Sequence, residues 1–204
     1  MKKLKMYVIA LRYRLYRLLW RLKFTFLREK IPKNADGKIY LNLGCGVNTS
    51  REFINIDAFP FRRTHWVLDI QNLSVFPSNS VDMVYASHVI EHIPRANLKK
   101  TLSEWCRVIK PGGVLRFGVP DIDKLIAIYN ASGKETESIV NQLLGQDRDY
   151  DRHCTIWNFN YAKKILREVG FSGEPLHWDV QTADLHAFKD KSNRDNSLNL
   201  EVTK

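Results

Sequence analysis

The stretch IYLNLGCG, residues 39–46, is a short apolar run that ends in two glycines around a cysteine. An apolar run of this length, bounded by turn residues, is typical of a buried strand. The two glycines let the backbone turn sharply and let a ligand approach it closely, because neither carries a Cβ. In an open parallel sheet, ligands bind beyond the carboxyl ends of the strands. The stretch therefore predicts a first strand with a ligand-binding loop at its end.

Outward from this stretch, runs with the length and composition of strands alternate with runs of helical periodicity. This alternation predicts an α/β fold, a Rossmann-like, doubly wound, mostly parallel sheet of about seven strands. The strand-like runs are residues 39–43, 53–57, 65–70, 81–87, 114–119, 176–180 and 197–203, and the helical runs are 94–109, 121–146 and 161–169.

The first crossover of this sheet is short. Only Val47–Glu52 separates the first two strands, whereas a parallel crossover normally takes a dozen or more residues and includes a helix. We therefore expect the first helix of the fold to be reduced to a turn.

The predicted carboxyl ends of the next strands carry Asp57, Asp69 and Ser87–His88. A carboxylate after the second strand can accept hydrogen bonds from both hydroxyls of a ribose, and an acid one strand further suits an exocyclic amine. The set describes a nucleoside that lies across the strand ends. It differs from the NAD fingerprint, because Thr49 stands in place of the third glycine and Asp57 follows Gly46 by eleven residues. A nucleotide triphosphate site is not indicated either, since the loop has no Walker lysine.

Five segments follow one another along the chain: LNLGCG (41–46), FINIDAFP (53–60), VLDI (67–70), VDMVYASHVIEHIP (81–94) and RVIKPGGVLRFGVPD (107–121). In order and spacing they resemble the successive motifs of class I S-adenosylmethionine-dependent methyltransferases. More narrowly, they resemble small bacterial members associated with sugar and surface-polysaccharide pathways. The resemblance covers residues 39–204 and implies S-adenosylmethionine as the cofactor.

The resemblance also implies which residues bind that cofactor. The glycine loop would line its methionine and ribose, and the acid after the second strand would take the ribose hydroxyls. The acid after the third strand and its neighbour would contact adenine, and the pair after the fourth would form the wall beneath the sulfonium. Asn42 stands where the family often has an acid, so it keeps a hydrogen bond but not the charge. The full set is Asn42, Gly44, Cys45, Gly46, Asp57, Asp69, Ile70, Ser87 and His88.

The methyl transfer that this resemblance implies is an in-line displacement, so an enzyme contributes mainly by aligning the acceptor. A hydroxyl acceptor also benefits from a base with a pKa near neutrality, which suits histidine. His153, in the polar segment 148–153, is the first candidate for this base. His92 is the second candidate, and Asp121 is the third.

The segment His88-Val89-Ile90-Glu91-His92 matches H-x-x-E-H, an inverted zinc-protease motif. Such a site needs both histidines on one face of a helix. Here His88 comes directly off a predicted strand, and the helix is predicted to begin only at Pro94. We therefore expect no metal, and we expect Glu91 and His92 to stabilise the turn from strand to helix.

The charge of the chain is concentrated at its start. Residues 1–30 hold ten Lys or Arg and one acid, which is nine of the ten net positive charges. Apolar residues at 4, 8, 11, 15, 18 and 22 recur at helical spacing, so this segment is predicted to be a basic amphipathic helix. No run approaches the ~20 apolar residues that a membrane-spanning helix needs. We assign residues 1–37 to this helix and its linker, and residues 38–204 to the methyltransferase domain.

Two interpretations of the N-terminal helix stay open. It can pack on the domain, over the sheet face that the short crossover leaves bare. It can instead lie on an anionic membrane surface with its arginines at the phosphates. Nucleic acid is not expected as a partner, because the rest of the chain is nearly neutral. Three cysteines without a CxxC motif fit a reducing cytoplasm. In the second interpretation of the helix, the protein lies at the inner face of the cell membrane.

The sequence thus predicts an enzyme that transfers a methyl group from S-adenosylmethionine to a small-molecule acceptor, a hydroxyl of a sugar or of another metabolite. The alternative is a non-catalytic module with the same fold that serves as a membrane-recruited scaffold or binding partner. Turnover of an acceptor separates the two.

Overall fold

A seven-stranded sheet forms the centre of the structure. The computed structural model describes residues 15, 19, 34, 36–61, 63–146, 151–178 and 195–204. Its strands are β1 Tyr40–Leu43, β2 Ile54–Asp57, β3 Trp66–Val67, β4 Val81–Ser87, β5 Ile109–Pro120, β6 Leu176–His177 and β7 Ser197–Thr203. They lie in the order β3-β2-β1-β4-β5-β7-β6, and neighbours pair in parallel except that β7 is antiparallel to β5 and β6. The predicted mostly parallel sheet of about seven strands is confirmed.

The chain leaves β1 toward β2 on one side, whereas β4 adds to β1 on the other side. A crevice opens beyond the carboxyl ends of the strands at such a reversal of strand order. Leu41 and Leu43 of β1 are fully buried in the large apolar core. Tyr40 belongs to a smaller buried cluster with Met83 and Tyr85 of β4. The central strand is thus covered on both faces, as expected for a parallel sheet.

Helices follow the strands, as the alternating pattern predicts. A turn in which Asn97 N–H donates to Pro94 O at 2.8 Å precedes the first of them, so that helix begins at Leu98 rather than at Pro94. The α-helices of the described ranges are α1 Leu98–Val108, α2 Ile122–Ala131, α3 Val140–Leu144 and α4 Phe159–Glu168, and 3₁₀ turns occur at Ile90–His92 and Thr136–Ser138.

Helix α1 is amphipathic and packs against the sheet. Leu98, Leu102 and Trp105 recur at steps of four and three and are each at most 1% exposed. Burial of a side chain of this size contributes about 1.5–3 kcal/mol. Trp105 Nε1–H also donates to Ile70 O at 2.8 Å, which ties the helix to the loop after β3.

Strand β5 is longer than the predicted run 114–119. Ile109 pairs with Val81, and the register then shifts before Met83 pairs with Val114. Residues 110–113 therefore form an irregularity within the strand, not a turn that separates it from the preceding helix.

The connection between β1 and β2 contains turns and bends but no helix, as its length predicts. Side chains replace the missing helical hydrogen bonds. Asn55 Oδ1 accepts from Asn42 Nδ2 at 3.1 Å and from Ser50 N–H at 3.2 Å. Asn42 Nδ2 also donates to Asn48 O at 2.9 Å. This network holds a short, irregular loop in one conformation, because its buried polar groups are bonded to each other.

Most of the N-terminal segment lies outside the described residues, and with it the predicted amphipathic helix and the domain boundary at residue 37. Leu15 and Leu19 are described; both are helical and 55% exposed. Within the described ranges, no helix has the length and apolar character to cross a membrane.

Candidate active site

The loop after β1 reaches the end of the sheet with two residues in the left-handed region, Gly44 at φ 65° and Gly46 at φ 50°. A Cβ on Gly44 would lie 2.4 Å from Val89 Cγ2, so this position is closed to any side chain. A Cβ on Gly46 would meet nothing within 4 Å. Gly44 thus packs the loop against the segment after β4, and Gly46 exposes bare backbone to a cleft.

Asp57 ends β2 directly beside this loop. Its Oδ2 accepts from Gly46 N–H at 2.9 Å, and its Oδ1 accepts from Phe59 N–H at 2.8 Å. Burial raises the pKa of Asp57, and these backbone hydrogen bonds oppose the rise. Each oxygen keeps acceptor capacity, because a carboxylate oxygen has two lone pairs. We call Gly44–Gly46 and Asp57 the glycine edge.

The glycine edge fits the nucleoside of S-adenosylmethionine on two observations of this structure. A cleft of about 300 Å³ lies at Gly46, Val47, Thr49, Phe61 and Arg63. The side of Gly46 that faces open space has room for a ligand against the backbone. The carboxylate of Asp57 would hold the ribose hydroxyls with its remaining lone pairs, as predicted.

Cys45 has a different position from the one predicted for it. Its side chain is 3% exposed, and its N–H donates to Ile56 O at 3.0 Å. Burial raises the pKa of the thiol to about 12, although a contact with Thr64 opposes this. Cys45 therefore anchors the loop to β2 and does not face the cleft. Asn42 is also bonded within the protein, through the network described above.

Asp69 and Ile70 lie in the loop after β3, which ends at Val67 instead of continuing to residue 70. Asp69 Oδ1 accepts from Gln71 N–H at 3.0 Å, a local turn that competes with strand pairing. Asp69 and Ile70 are both partly exposed. Their contact with adenine stays a prediction.

Ser87 ends β4 and His88 follows it, next to the glycine edge. His88 N–H donates to Gly118 O at 2.8 Å, which extends the pairing of β4 with β5. The residue has φ 52°, a left-handed conformation that costs a non-glycine residue on the order of 1 kcal/mol and that clusters at functional sites. His88 Nε2 lies 2.8 Å from Ser197 Oγ.

A second cavity, of about 680 Å³, lies beyond the ends of β4 and β5. We call it the histidine cavity. Two predicted catalytic residues line it, His92 from the 3₁₀ turn after β4 and His153 from the loop before α4. The lining also includes His88, Glu91, Asn141, Gln142, Asp151 and Asn196.

The rings of His92 and His153 lie close together, and a backbone carbonyl oxygen orients each of them. Their rings meet edge to face at 4.9 Å between centroids. His92 Nδ1 lies 3.0 Å from Arg152 O, and His153 Nδ1 lies 2.9 Å from Gln142 O. Burial lowers the pKa of His153, although the charge of Glu91 opposes this. Burial therefore favours the neutral form of the His153 imidazole.

Glu91 is the residue of this cavity whose role differs most from the prediction. It is 1% exposed, and its Oε1 lies 3.2 Å from His88 Nδ1. Burial opposes its ionisation, but the neighbouring His88 and His92 outweigh this and lower the pKa of the carboxyl. The sequence places Glu91 only in a structural turn; the H-x-x-E-H motif was the signal that could have marked it as part of the site.

Asp121, the third predicted catalytic residue, caps a helix instead. Its Oδ1 accepts from Asp123 N–H at 3.1 Å at the first turn of α2. It is 7% exposed and is not among the described residues that line the histidine cavity. A side chain that caps a helix is oriented by the backbone donors of that helix, which explains why Asp121 does not take part in the cavity.

Fold and site together define a Rossmann-like protein in which the glycine edge adjoins a polar cavity. Residues 40–117 match the family model described as a methyltransferase domain. This match supports a methyltransferase, and it indicates S-adenosylmethionine as the cofactor. A comparison with curated proteins finds no match.

Solved structures share the fold. A SAM-dependent methyltransferase from Archaeoglobus fulgidus is 16% identical, with 92% of this chain and 93% of that chain covered and a TM-score of 0.54. An S-adenosylmethionine-dependent methyltransferase from Mesorhizobium loti is also 16% identical, with 89% and 97% covered and a TM-score of 0.51. At this identity the likeness shows a common architecture, the Rossmann-like fold of S-adenosylmethionine-dependent methyltransferases.

Proposed function

We propose that this protein transfers the methyl group of S-adenosylmethionine to a hydroxyl of a small acceptor in the histidine cavity. The observation that carries the proposal is the adjacency of two sites at one end of the sheet. The glycine edge follows β1 and β2, and the histidine cavity follows β4 and β5. His88, at the end of the strand next to β1, lines the cavity and lies between them.

When bound, S-adenosylmethionine supplies a methyl group that is already activated by its positive sulfur. The tasks left to this chain are to align the acceptor and to assist loss of the hydroxyl proton. Alignment alone is worth effective molarities on the order of 10⁵ M or more. The strained backbone of His88 (φ 52°) fixes the wall that would set this alignment.

The cluster of Glu91, His92 and His153 is where we place activation of the acceptor hydroxyl. Two of its members are the residues for which the sequence predicts acid–base work, and both line the cavity. A neutral imidazole offers one lone pair and one N–H, so it suits a group that loses a proton during the reaction.

The acceptor class that we propose is a sugar. Side chains with paired donors and acceptors line the cavity, among them Asn141, Gln142 and Asn196, together with the carboxylate of Asp151. Such groups hydrogen-bond the several hydroxyls of a sugar ring. The resemblance of the motifs to methyltransferases of surface-polysaccharide pathways supports the same class.

Labelled methyl transfer tests this proposal. Full-length protein and methyl-labelled S-adenosylmethionine are added to an extract of the native cells, and the labelled products are identified. We expect label in a hydroxylated small molecule with the wild type and with Asp82→Ala, whose carboxylate accepts from Ile39 N–H at the opposite end of the sheet. Asp57→Ala should lose most of the label. A wild-type protein that binds the cofactor and labels nothing would favour the non-catalytic scaffold.

We also propose that the protein works in the cytoplasm and that residues 1–30 attach it to the inner face of the membrane. Nine net positive charges and a helical apolar stripe support this location. Flotation with vesicles of anionic and of neutral lipid tests it on the full chain. Binding should require anionic lipid, weaken in high salt, and fall when Arg14, Arg17 and Arg21 are changed to Gln. Equal flotation of that variant would contradict the proposal.

A further inference from the structure

Three side chains of the types that bind metals lie close together in the lining of the histidine cavity. One ligand atom from each of Glu91, His92 and His153 lies within 4.8 Å of the other two. The backbone fixes this meeting, because Cys154 N–H and Thr155 N–H both donate to Glu91 O, at 2.7 and 3.2 Å. The loop that carries His153 is therefore pinned to the 3₁₀ turn that carries the other two residues.

The hydrogen bonds of the two histidines place the ring proton on the same atom, Nδ1, and turn Nε2 toward the cavity. Nε2 of His92 lies 3.6 Å from Asp151 Oδ1, a further carboxylate beside the cluster. A backbone carbonyl can only accept, so the Nδ1 atoms that face Arg152 O and Gln142 O must carry the proton. In a neutral ring, Nε2 then keeps a free lone pair. Histidines that ligate metals are oriented by such a bond from the other ring nitrogen to a carbonyl or carboxylate.

Glu91 provides the second, independent observation. Its side chain is buried, yet neither carboxylate oxygen accepts a hydrogen bond from any residue that the structure describes. A buried carboxylate without such bonds is costly, and the ring of His88 beside Oε1 relieves this at one oxygen. A cation bound at the other oxygen would supply the missing partner.

We propose that Glu91, His92 and His153 bind a divalent transition-metal ion of the zinc class, which positions and polarises the acceptor hydroxyl. Two imidazole nitrogens and one carboxylate oxygen suit zinc and its neighbours better than magnesium or calcium, which prefer oxygen ligands. Three protein ligands leave a coordination position open, which is typical of catalytic sites. The proposal rests on the proposed function in one respect, that the acceptor binds in this cavity.

The ion gives the cluster a definite chemical task. A hydroxyl held by a divalent cation loses its proton more easily; here the proton passes to solvent water. The oxygen lone pair then forms the new O–C bond, while the electron pair of the C–S bond stays on sulfur. In this arrangement His153 is a metal ligand rather than the general base that the sequence predicts.

The site differs from the zinc-protease motif in the same segment. In that motif both histidines would share one helix face, whereas here His88 faces Ser197 Oγ and the 3₁₀ turn begins only at Ile90. His153, which is remote in sequence, completes the set instead. The H-x-x-E-H motif, on which the expectation of no metal rests, does not contain this third ligand.

Cobalt spectroscopy tests the site without reference to turnover. Full-length protein is stripped with a chelator and titrated with Co²⁺, and the visible ligand-field absorption is recorded. We expect one equivalent to bind and to be displaced by Zn²⁺. His92→Ala, His153→Ala and Glu91→Gln should each weaken binding at least tenfold, whereas His177→Ala, an exposed histidine on β6, should not. Thermal unfolding and cofactor binding confirm that each variant is folded.

Different experimental outcomes contradict the metal site and the proposed methyl transfer. The absence of a stoichiometric cobalt band overturns it, as does a band that survives in all three cavity variants or falls equally in His177→Ala. If the ion binds but the stripped protein transfers methyl at the full rate, the catalytic role is wrong. If the stripped protein loses labelled transfer and Zn²⁺ restores it, the role is supported. A zinc-loaded protein that binds cofactor and labels no acceptor would count against the proposed function alone.

Discussion

The glycine edge and the histidine cavity lie side by side at one end of the sheet but differ in how their carboxylates are satisfied. Both oxygens of Asp57 accept backbone N–H groups, at 2.8 and 2.9 Å. Glu91, which is more deeply buried, accepts no hydrogen bond from the described part of the chain. The difference teaches that backbone hydrogen bonds already orient the carboxylate of the first region and leave it lone pairs for a ligand, whereas the carboxylate of the second has no hydrogen bond from the described residues. Buried polar groups left in that state need a reason, and a bound ion or substrate supplies one.

The two regions also differ in how the chain builds them. The glycine edge joins the loop after β1 to the end of β2, about a dozen residues later. The histidine cavity joins the turn at Ile90–His92 to a loop around His153, with α1, β5, α2 and α3 between them. One region is local in sequence, and the other depends on how distant segments pack.

The largest expected contrast between the regions is in thiol reactivity. Cys45 at the glycine edge is buried with a pKa of about 12, so at pH 8 its thiolate fraction is about 10³-fold below that of a free cysteine of pKa ~8.5. Cys154, next to His153, is exposed. We expect iodoacetamide to label Cys154 first in the native protein, as mass spectrometry of digested peptides would show. Rapid labelling that persists in Cys154→Ser would contradict this contrast.

The next largest effect is expected on the free energy of unfolding, when a Cβ is added where Gly44 packs against Val89. Gly44→Ala places a Cβ 2.4 Å from Val89 in a left-handed backbone, so overpacking and strain together should lower the free energy of unfolding by about 2–5 kcal/mol. Gly46→Ala has the strain but not the clash, and should lose only about 1–2 kcal/mol. Urea denaturation of both variants gives the comparison. Equal losses would mean that Gly44 does not pack against the segment after β4.

A smaller effect is expected on cofactor affinity. Asp57→Ala removes charge-assisted hydrogen bonds worth about 1.5–3 kcal/mol, so the Kd for S-adenosylmethionine should rise at least about tenfold in calorimetry. Asp82→Ala and His153→Ala should change it by less than about threefold, since one lies at the opposite end of the sheet and the other in the histidine cavity. A large effect of His153→Ala would show that the two regions do not bind separate ligands.

The smallest expected effect is a pH dependence of the free energy of unfolding, which arises from His65. Asn55 N–H donates to His65 Nδ1 at 3.0 Å, and burial lowers the pKa of His65 below 6.5. The folded protein therefore takes up this proton less readily than the unfolded chain. The contribution of His65 to stability is complete above pH 6.5 and declines as the pH falls below that value toward the folded-state pKa. Urea denaturation at pH 7.5, 6.5 and 5.5 should show a steeper decline for the wild type than for His65→Gln; parallel curves would refute this.

The periodicities predict β4 and β7 with their observed bounds, and β1 and β2 to within one residue, because their apolar runs are bounded by turn residues. The helix-free first crossover follows from its length alone. The pattern fails at residues 65–70, where the Asp69 side chain forms a turn with Gln71, and at residues 110–113, which stay within β5 through a register shift. Both are cases in which side-chain bonding or strand pairing overrides the local pattern.

The sequence alone determined the α/β sheet, the glycine loop and the carboxylate that follows it, because these features depend on residues close together along the chain. The tertiary structure alone decided the side-chain roles. It turned Cys45 inward, used Asp121 as a helix cap, and brought His153 to Glu91 and His92. The physical reason is that a strand is specified by its local apolar pattern, whereas a cluster from distant segments exists only after their backbones have packed and bonded to each other.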